Sequence, residues 1–88
     1  MIEHVITISN RAGIHARPAA ILVQTTKNFD CNIYLVKGND RINAKSIMGV
    51  ITLGAGFGTE LTIVAEGKDE EYAVKALVRL FESKFEEE

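Results

Sequence analysis

"ELTIVAEGKDEEYAVKALVRLF", Glu60 to Phe81, changes its apolar period partway along, and that change decides the architecture. From Glu60 to Glu66, Leu61, Ile63 and Ala65 recur every second residue, the period of a strand with one buried face. Gly67-Lys68-Asp69 interrupts the pattern. Beyond it Ala73, Val74, Leu77, Val78, Leu80 and Phe81, continued by Phe85, form one wide apolar face of a long final helix. Asp69 is placed as its N-cap, with Glu70 and Glu71 suiting the positive end of the helix dipole. A strand apolar on one side and a helix apolar on one side cover each other, which predicts a sheet with helices on a single face.

Upstream, Asn32 to Lys37 reads as a strand with Ile33 and Leu35 inward. Gly38-Asn39-Asp40 turns the chain into a short antiparallel strand around Arg41 to Ala44. At the start of the chain Ile2, Ile6 and Ile8 share one strand face with His4, which is expected to be a partly exposed residue without a role. After a turn at Asn10 to Gly13, Ala16 to about Asn28 reads as a helix. Ala19, Leu22, Val23 and Thr26 face the core, and Arg17, Ala20, Gln24 and Lys27 lie opposite. Lys45 to Leu53 is too short for periodicity to classify, but Ser46 before Ile47-Met48 resembles an N-cap opening one or two helical turns. The order is β-α-β-β-α-β-α: an α+β fold with a four-stranded antiparallel sheet and three helices on one face.

The 88 residues suit one domain with a modest core, and 47% hydrophobic with 25% charged residues places the chain among globular proteins. A net charge of -2 and no basic stripe argue against nucleic acid as a partner. No apolar run is long enough to span a bilayer, and MIEHVITISN lacks the pattern of a signal peptide, so a cytoplasmic protein is expected; a monomer is expected as well. Cys31 is the single cysteine and is expected to be a small buried apolar residue. The closing Glu86-Glu87-Glu88 reads as a solvated tail.

The glycines of GAGFG, Gly54 to Gly58, lead into a strand and lack the Lys-Ser/Thr ending of a phosphate-binding loop, so they read as a turn connector. Phe57 within it is assigned to neither surface nor core. The chemistry concentrates in "GIHARPAA", Gly13 to Ala20. His15 lacks the further ligands of a metal site, so neither a metal nor a cofactor is expected, and no nucleophile elbow supports Ser-His-Asp hydrolysis. A helix beginning beside His15 brings unpaired N–H groups and a positive dipole end to the imidazole, itself a nucleophile near neutral pH. Arg17 adds a planar fork suited to phosphate oxygens. Two readings stay open on these residues: a histidine that accepts a phosphoryl group, and a surface cap beside an exposed arginine. The cap position is open too, because a residue before proline disfavours helix; that rule makes Arg17 the cap and Pro18 the first helical residue.

"GIHARPAA" together with "KSIMGVITLG", Lys45 to Gly54, resembles the HPr family, the histidine-containing phosphocarriers of the phosphoenolpyruvate-dependent sugar phosphotransferase system. The resemblance covers nearly the whole chain and implies an open-faced β-sandwich. It matches His15 to the histidine phosphorylated on Nδ1 by phospho-enzyme I and discharged onto enzyme II A domains, and it places the helix cap at His15. Arg17 matches the residue that neutralises the phosphoryl charge. Ser46 matches the serine modified by an ATP-dependent HPr kinase/phosphorylase in Gram-positive members, whose phosphoserine form acts with the catabolite control repressor. Ile47, Met48 and Ile51 are the expected docking patch, because so short a helix cannot bury them all, with Ala20, Gln24 and Lys27 as its other half. A carrier modified stoichiometrically is not a free-standing enzyme. The alternative is a regulation-only relative acting through Ser46; such relatives lack the active-site histidine, so His15 favours the carrier.

Overall fold

The structure, a computed structural model, describes residues 1–86, so Glu87 and Glu88 of the expected tail lie outside the described residues. The elements are β1 (Ile2–Thr7), α1 (Ala16–Thr26), β2 (Asn32–Lys37), β3 (Asp40–Asn43), α2 (Ile47–Thr52), β4 (Glu60–Glu66) and α3 (Glu70–Glu82). One antiparallel sheet in the order β1-β4-β2-β3 carries the three helices on one face, the expected α+β open-faced sandwich. Register sets Ile6 beside Leu61, Ala65 beside Ile33, and Ile63 beside Leu35, and these side chains form the sheet's contribution to the core. Ala19, Leu22 and Val23 of α1 and Ala73, Val74, Leu77 and Phe81 of α3 close over them. His4 is exposed at the β1 edge. Among the described residues no helix is long and apolar enough to cross a membrane.

Two helix ends differ from expectation. Asp69 takes the N-cap position of α3 through its backbone, with its carbonyl accepting from the Ala73 N–H, but its carboxylate does not cap the helix. It accepts instead from the N–H groups of Asp30 at 2.8 Å and Cys31 at 2.9 Å, tying the start of α3 to the turn before β2. One carboxylate that satisfies two backbone donors at another turn outcompetes a single cap bond. Glu70 accepts from Gly67 N–H at 3.0 Å and pairs with the N-terminal ammonium at 3.0 Å.

The far end of α3 stops at Glu82, short of Phe85. Lys84 and Phe85 adopt φ of +57° and +55°, and the turn they make brings Phe85 edge-on against Phe81 with centroids 5.0 Å apart. Left-handed backbone costs about 1–2 kcal/mol per residue. Full burial of a phenylalanine returns about 1.5–3 kcal/mol and an aromatic pair about 0.5–1.5 kcal/mol more, enough to hold the turn.

Cys31 is buried, and its thiol is pushed up to about 11, first by burial and then by the Asp69 carboxylate, so it stays protonated at neutral pH. The Asp30 N–H holds the Asp69 carboxyl below its ordinary 3.8, and the Gly67 N–H followed by the N-terminal ammonium does the same to Glu70 below 4.5. Because the native state binds these protons less readily than the unfolded chain, their stabilisation is complete above the ordinary values. It is lost as pH falls through the native ones. Urea unfolding at pH 7 and pH 3 should show a smaller acid loss in Asp69→Asn than in the parent; equal losses would place the acid-sensitive groups elsewhere.

Candidate functional site

The site begins with a turn. Gly13 N–H donates to the Asn10 carbonyl at 3.1 Å and the buried Asn10 amide donates back to the Gly13 carbonyl at 2.7 Å, with Gly13 at φ +71°. Ile14 then buries its side chain, and its N–H donates to the Ala55 carbonyl at 2.9 Å. These contacts deliver His15, exposed, to the N-cap of α1 in extended conformation, φ -104° and ψ -167°.

The cap is therefore His15, and the expectation from proline chemistry that Arg17 caps and Pro18 starts the helix does not hold. The first intrahelical bond runs from Ala19 N–H to the His15 carbonyl at 2.9 Å, so Pro18, third in the helix, lacks an N–H that no helical acceptor awaits. The turn its ring would crowd is occupied by Ile14, outside the helix, which leaves only the local restriction on Arg17. Pro18 is buried, and that packing favours the earlier start.

The N–H groups of Ala16 and Arg17 precede the first helical bond and stand at the positive dipole end with His15. The exposed Arg17 guanidinium belongs to the same turn. An anion attached to the imidazole would meet backbone donors and a fixed cation there. Two clefts of about 250 and 350 Å³ lie between the β1 edge and α3, sharing His4, Val78 and Glu82, and His15 lines neither. His15 itself is exposed.

Ser46 caps α2, its Oγ accepting from Gly49 N–H at 3.2 Å. Val50 is the buried residue of this helix, and Ile47, Met48 and Ile51 are 42%, 65% and 37% exposed. On α1, Ala20 is half-buried, Gln24 exposed, and Lys27 exposed as the C-cap. The two helices pack together, fastened where the Thr26 hydroxyl lies 2.8 Å from the Ala44 carbonyl and Lys45 Nζ 2.6 Å from the Phe29 carbonyl. The structure thus groups His15 with Arg17 on one helix end and Ser46 with the apolar patch on the next helix. Sequence reasoning read Asn10 to Gly13 only as a turn and missed the supports it provides beneath His15, the Asn10 amide bond and the contact of Gly13 with Ala55 and Gly56; that turn and the glycines of Gly54 to Gly58 were their signals.

A family model described as "PTS HPr component phosphorylation site" matches residues 2–83. Phosphocarrier protein HPr of Treponema pallidum is 53% identical over 88 residues, all of both chains. The crystal structure of HPr-C-His from Thermoanaerobacter tengcongensis superimposes with a TM-score of 0.96 at 53% identity, covering 100% of this chain and 99% of that one; another crystal structure from that organism is of an HPr dimer, at a TM-score of 0.78. HPr-like protein Crh of Halalkalibacterium halodurans is 39% identical over 82 residues, 93% of this chain and 98% of its own. With His15 at the head of α1, a family match over almost the whole sequence and a shared fold, the chain belongs to the HPr family of phosphotransferase-system phosphocarriers.

Proposed function

We propose that His15 Nδ1 takes a phosphoryl group from phospho-enzyme I and passes it to the A domains of sugar-specific enzymes II. Nδ1 attacks phosphorus as the bond from phosphorus to the donor breaks, the donor atom keeping the electron pair. Protein catalysis of such a step is mostly positioning and charge stabilisation. The observation that carries the reading is His15 exposed at the N-cap of an 11-residue helix, with two helix N–H groups and Arg17 in the same turn. Arg17 neutralises the phosphoryl charge; Ile47, Met48, Ile51, Ala20, Gln24 and Lys27 form the surface on which enzyme I and the enzyme II domains dock. The chain acts as a single cytoplasmic domain, monomeric, and as a stoichiometric carrier instead of a free-standing enzyme.

Intact mass after incubation with phosphoenolpyruvate and enzyme I tests this. One acid-labile phosphoryl group is expected. An unmodified chain, given an enzyme I active on another HPr, would sink the proposal and leave the regulation-only reading.

Ser46 is proposed as the site of an HPr kinase/phosphorylase, its phosphorylated form binding the catabolite control repressor. As cap of α2 it would hold a phosphate at the favourable dipole end, while adding about two negative charges to the docking surface. Ser46→Asp should keep the fold, since aspartate is an equally good cap. Its phosphorylation by enzyme I should fall about tenfold in kcat/KM at low salt and recover as salt rises. Ser46→Ala should instead lose about 1 kcal/mol of stability and transfer normally. Undiminished transfer in Ser46→Asp would reduce Ser46 to a helix cap.

A further inference from the structure

β1 is an end strand of the sheet and pairs with β4 alone among the described strands. Ladder bonds alternate along an antiparallel pair, so an end strand turns the N–H and C=O groups of every second residue outward. The phase is fixed just past β1, where Ile8 donates to the Thr59 carbonyl at 2.9 Å and accepts from Gly58 N–H at 2.8 Å. Ile6, His4 and Ile2 keep step with Ile8 and face β4. Glu3, Val5 and Thr7 therefore direct their N–H and C=O groups to the open edge. The strand IEHVIT contains neither proline nor lysine, two common protections of such an edge.

α3 supplies a wall beside this edge. The clefts of about 250 and 350 Å³ lie between the two: His4, Val78 and Glu82 line both, Phe81 the first and Val74 the second. Together they make one groove with an apolar floor at Val74, Val78 and Phe81. Its rim is charged. Lys75 and Arg79, about one helical turn apart, stand exposed on the second cleft, where Glu82 is the one carboxylate of the lining. Neither cation is ion-paired among the described residues.

We propose that this groove binds an extended peptide segment of a partner protein, added as a strand to β1, with apolar and carboxylate side chains turned toward α3. Strand addition takes its affinity from the main chain and leaves selection to alternate side chains. Here Val78 and Phe81 select an apolar residue, and Lys75 and Arg79 select a carboxylate. The charges also choose between occupants. A second copy's β1, laid against this edge with matching faces, would turn Ile2, His4 and Ile6 to the helix side, and none of these is a carboxylate. His15 lines neither cleft, so the proposal stands apart from the phosphoryl-acceptor reading.

The test is an amide NMR titration of the isotope-labelled chain with two end-capped synthetic heptapeptides. In one, threonine alternates with valine, glutamate and valine; in the other, lysine replaces the glutamate. The glutamate peptide should shift the amides of Glu3, Val5 and Thr7 saturably and bind about tenfold tighter than the lysine peptide at low salt. Lys75→Glu combined with Arg79→Glu should reverse that preference. Val5→Pro deletes an outward N–H that β4 does not use, so it should keep the fold and lose the peptide. No saturable shift at millimolar peptide overturns the proposal, as do equal affinities for the two peptides, a preference the double charge reversal leaves in place, or binding retained by a folded Val5→Pro. If Val5→Pro does not fold, the charge reversal decides alone. A chain that sediments as a dimer without peptide, and as a monomer after Val5→Pro, would give the edge to a second copy and overturn it too.

Discussion

His15→Ala should carry no acid-labile phosphoryl group after incubation with phosphoenolpyruvate and enzyme I, yet keep its stability within about 0.5 kcal/mol of the parent. The stability expectation follows from exposure and from a cap that works through the backbone: the His15 side chain makes no cap hydrogen bond, and the carbonyl that receives Ala19 N–H survives the substitution. Function should therefore be lost without loss of fold. The chain has one other histidine, His4, exposed at the β1 edge, so any acid-labile phosphoryl group remaining on the variant would move the site there or elsewhere. Arg17 gives a graded companion. Arg17→Ala should still be phosphorylated on His15 but about 100-fold more slowly, as when one donor to a developing oxyanion is removed. Arg17→Lys should fall between the two, retaining charge but losing the planar fork. Equal rates for all three would make Arg17 an exposed charge and nothing more.

The strands and helix faces were legible because their periodicity is carried by residues whose burial the fold cannot do without. Leu61, Ile63 and Ala65 announced β4, and Gly38-Asn39-Asp40 announced the hairpin. What stayed hidden were choices between nearby alternatives of similar energy. Asp69 had the residue type of a cap, but the donors that claim its carboxylate lie 39 and 38 positions earlier, beyond any local rule. Phe85 belonged to the apolar face of α3 by spacing, but its burial was won by a left-handed turn whose benefit is visible only beside Phe81. Pro18 misled through a local preference, because its buried ring favours a helix start that local sterics disfavour. For the site itself, His15, Arg17 and Ser46 stood out by residue type and motif. The glycines that brace them did not, since a close backbone approach requires both loops to be known.

Gly13→Ala should expose that bracing with the largest stability loss of any single-methyl change near the site, about 2–4 kcal/mol. Two effects combine. At φ +71° a side chain pays the left-handed penalty, and the new Cβ would lie 2.7 Å from the Gly56 Cα and 2.8 Å from the Ala55 carbonyl oxygen, both backbone atoms that move only if the loop moves. Gly38→Ala separates the effects. Gly38 has φ +59° with nothing within 4 Å of the added Cβ, so it should cost only the conformational part, about 1–2 kcal/mol. In a domain of this size the Gly13 change corresponds to a melting temperature lower by roughly 10–25 °C, measurable by calorimetry. Gly67→Ala provides a second comparison, because its Cβ would meet Cys31 Cβ at 2.6 Å, far along the chain from His15. Assayed well below their melting temperatures, Gly13→Ala should phosphorylate slowly and Gly67→Ala at the parental rate, although both are destabilised. If both transfer normally, the Gly13 contact with the glycine loop serves the fold alone; if only Gly13→Ala is slow, the orientation of His15 is set by two backbones that touch because neither has a side chain between them.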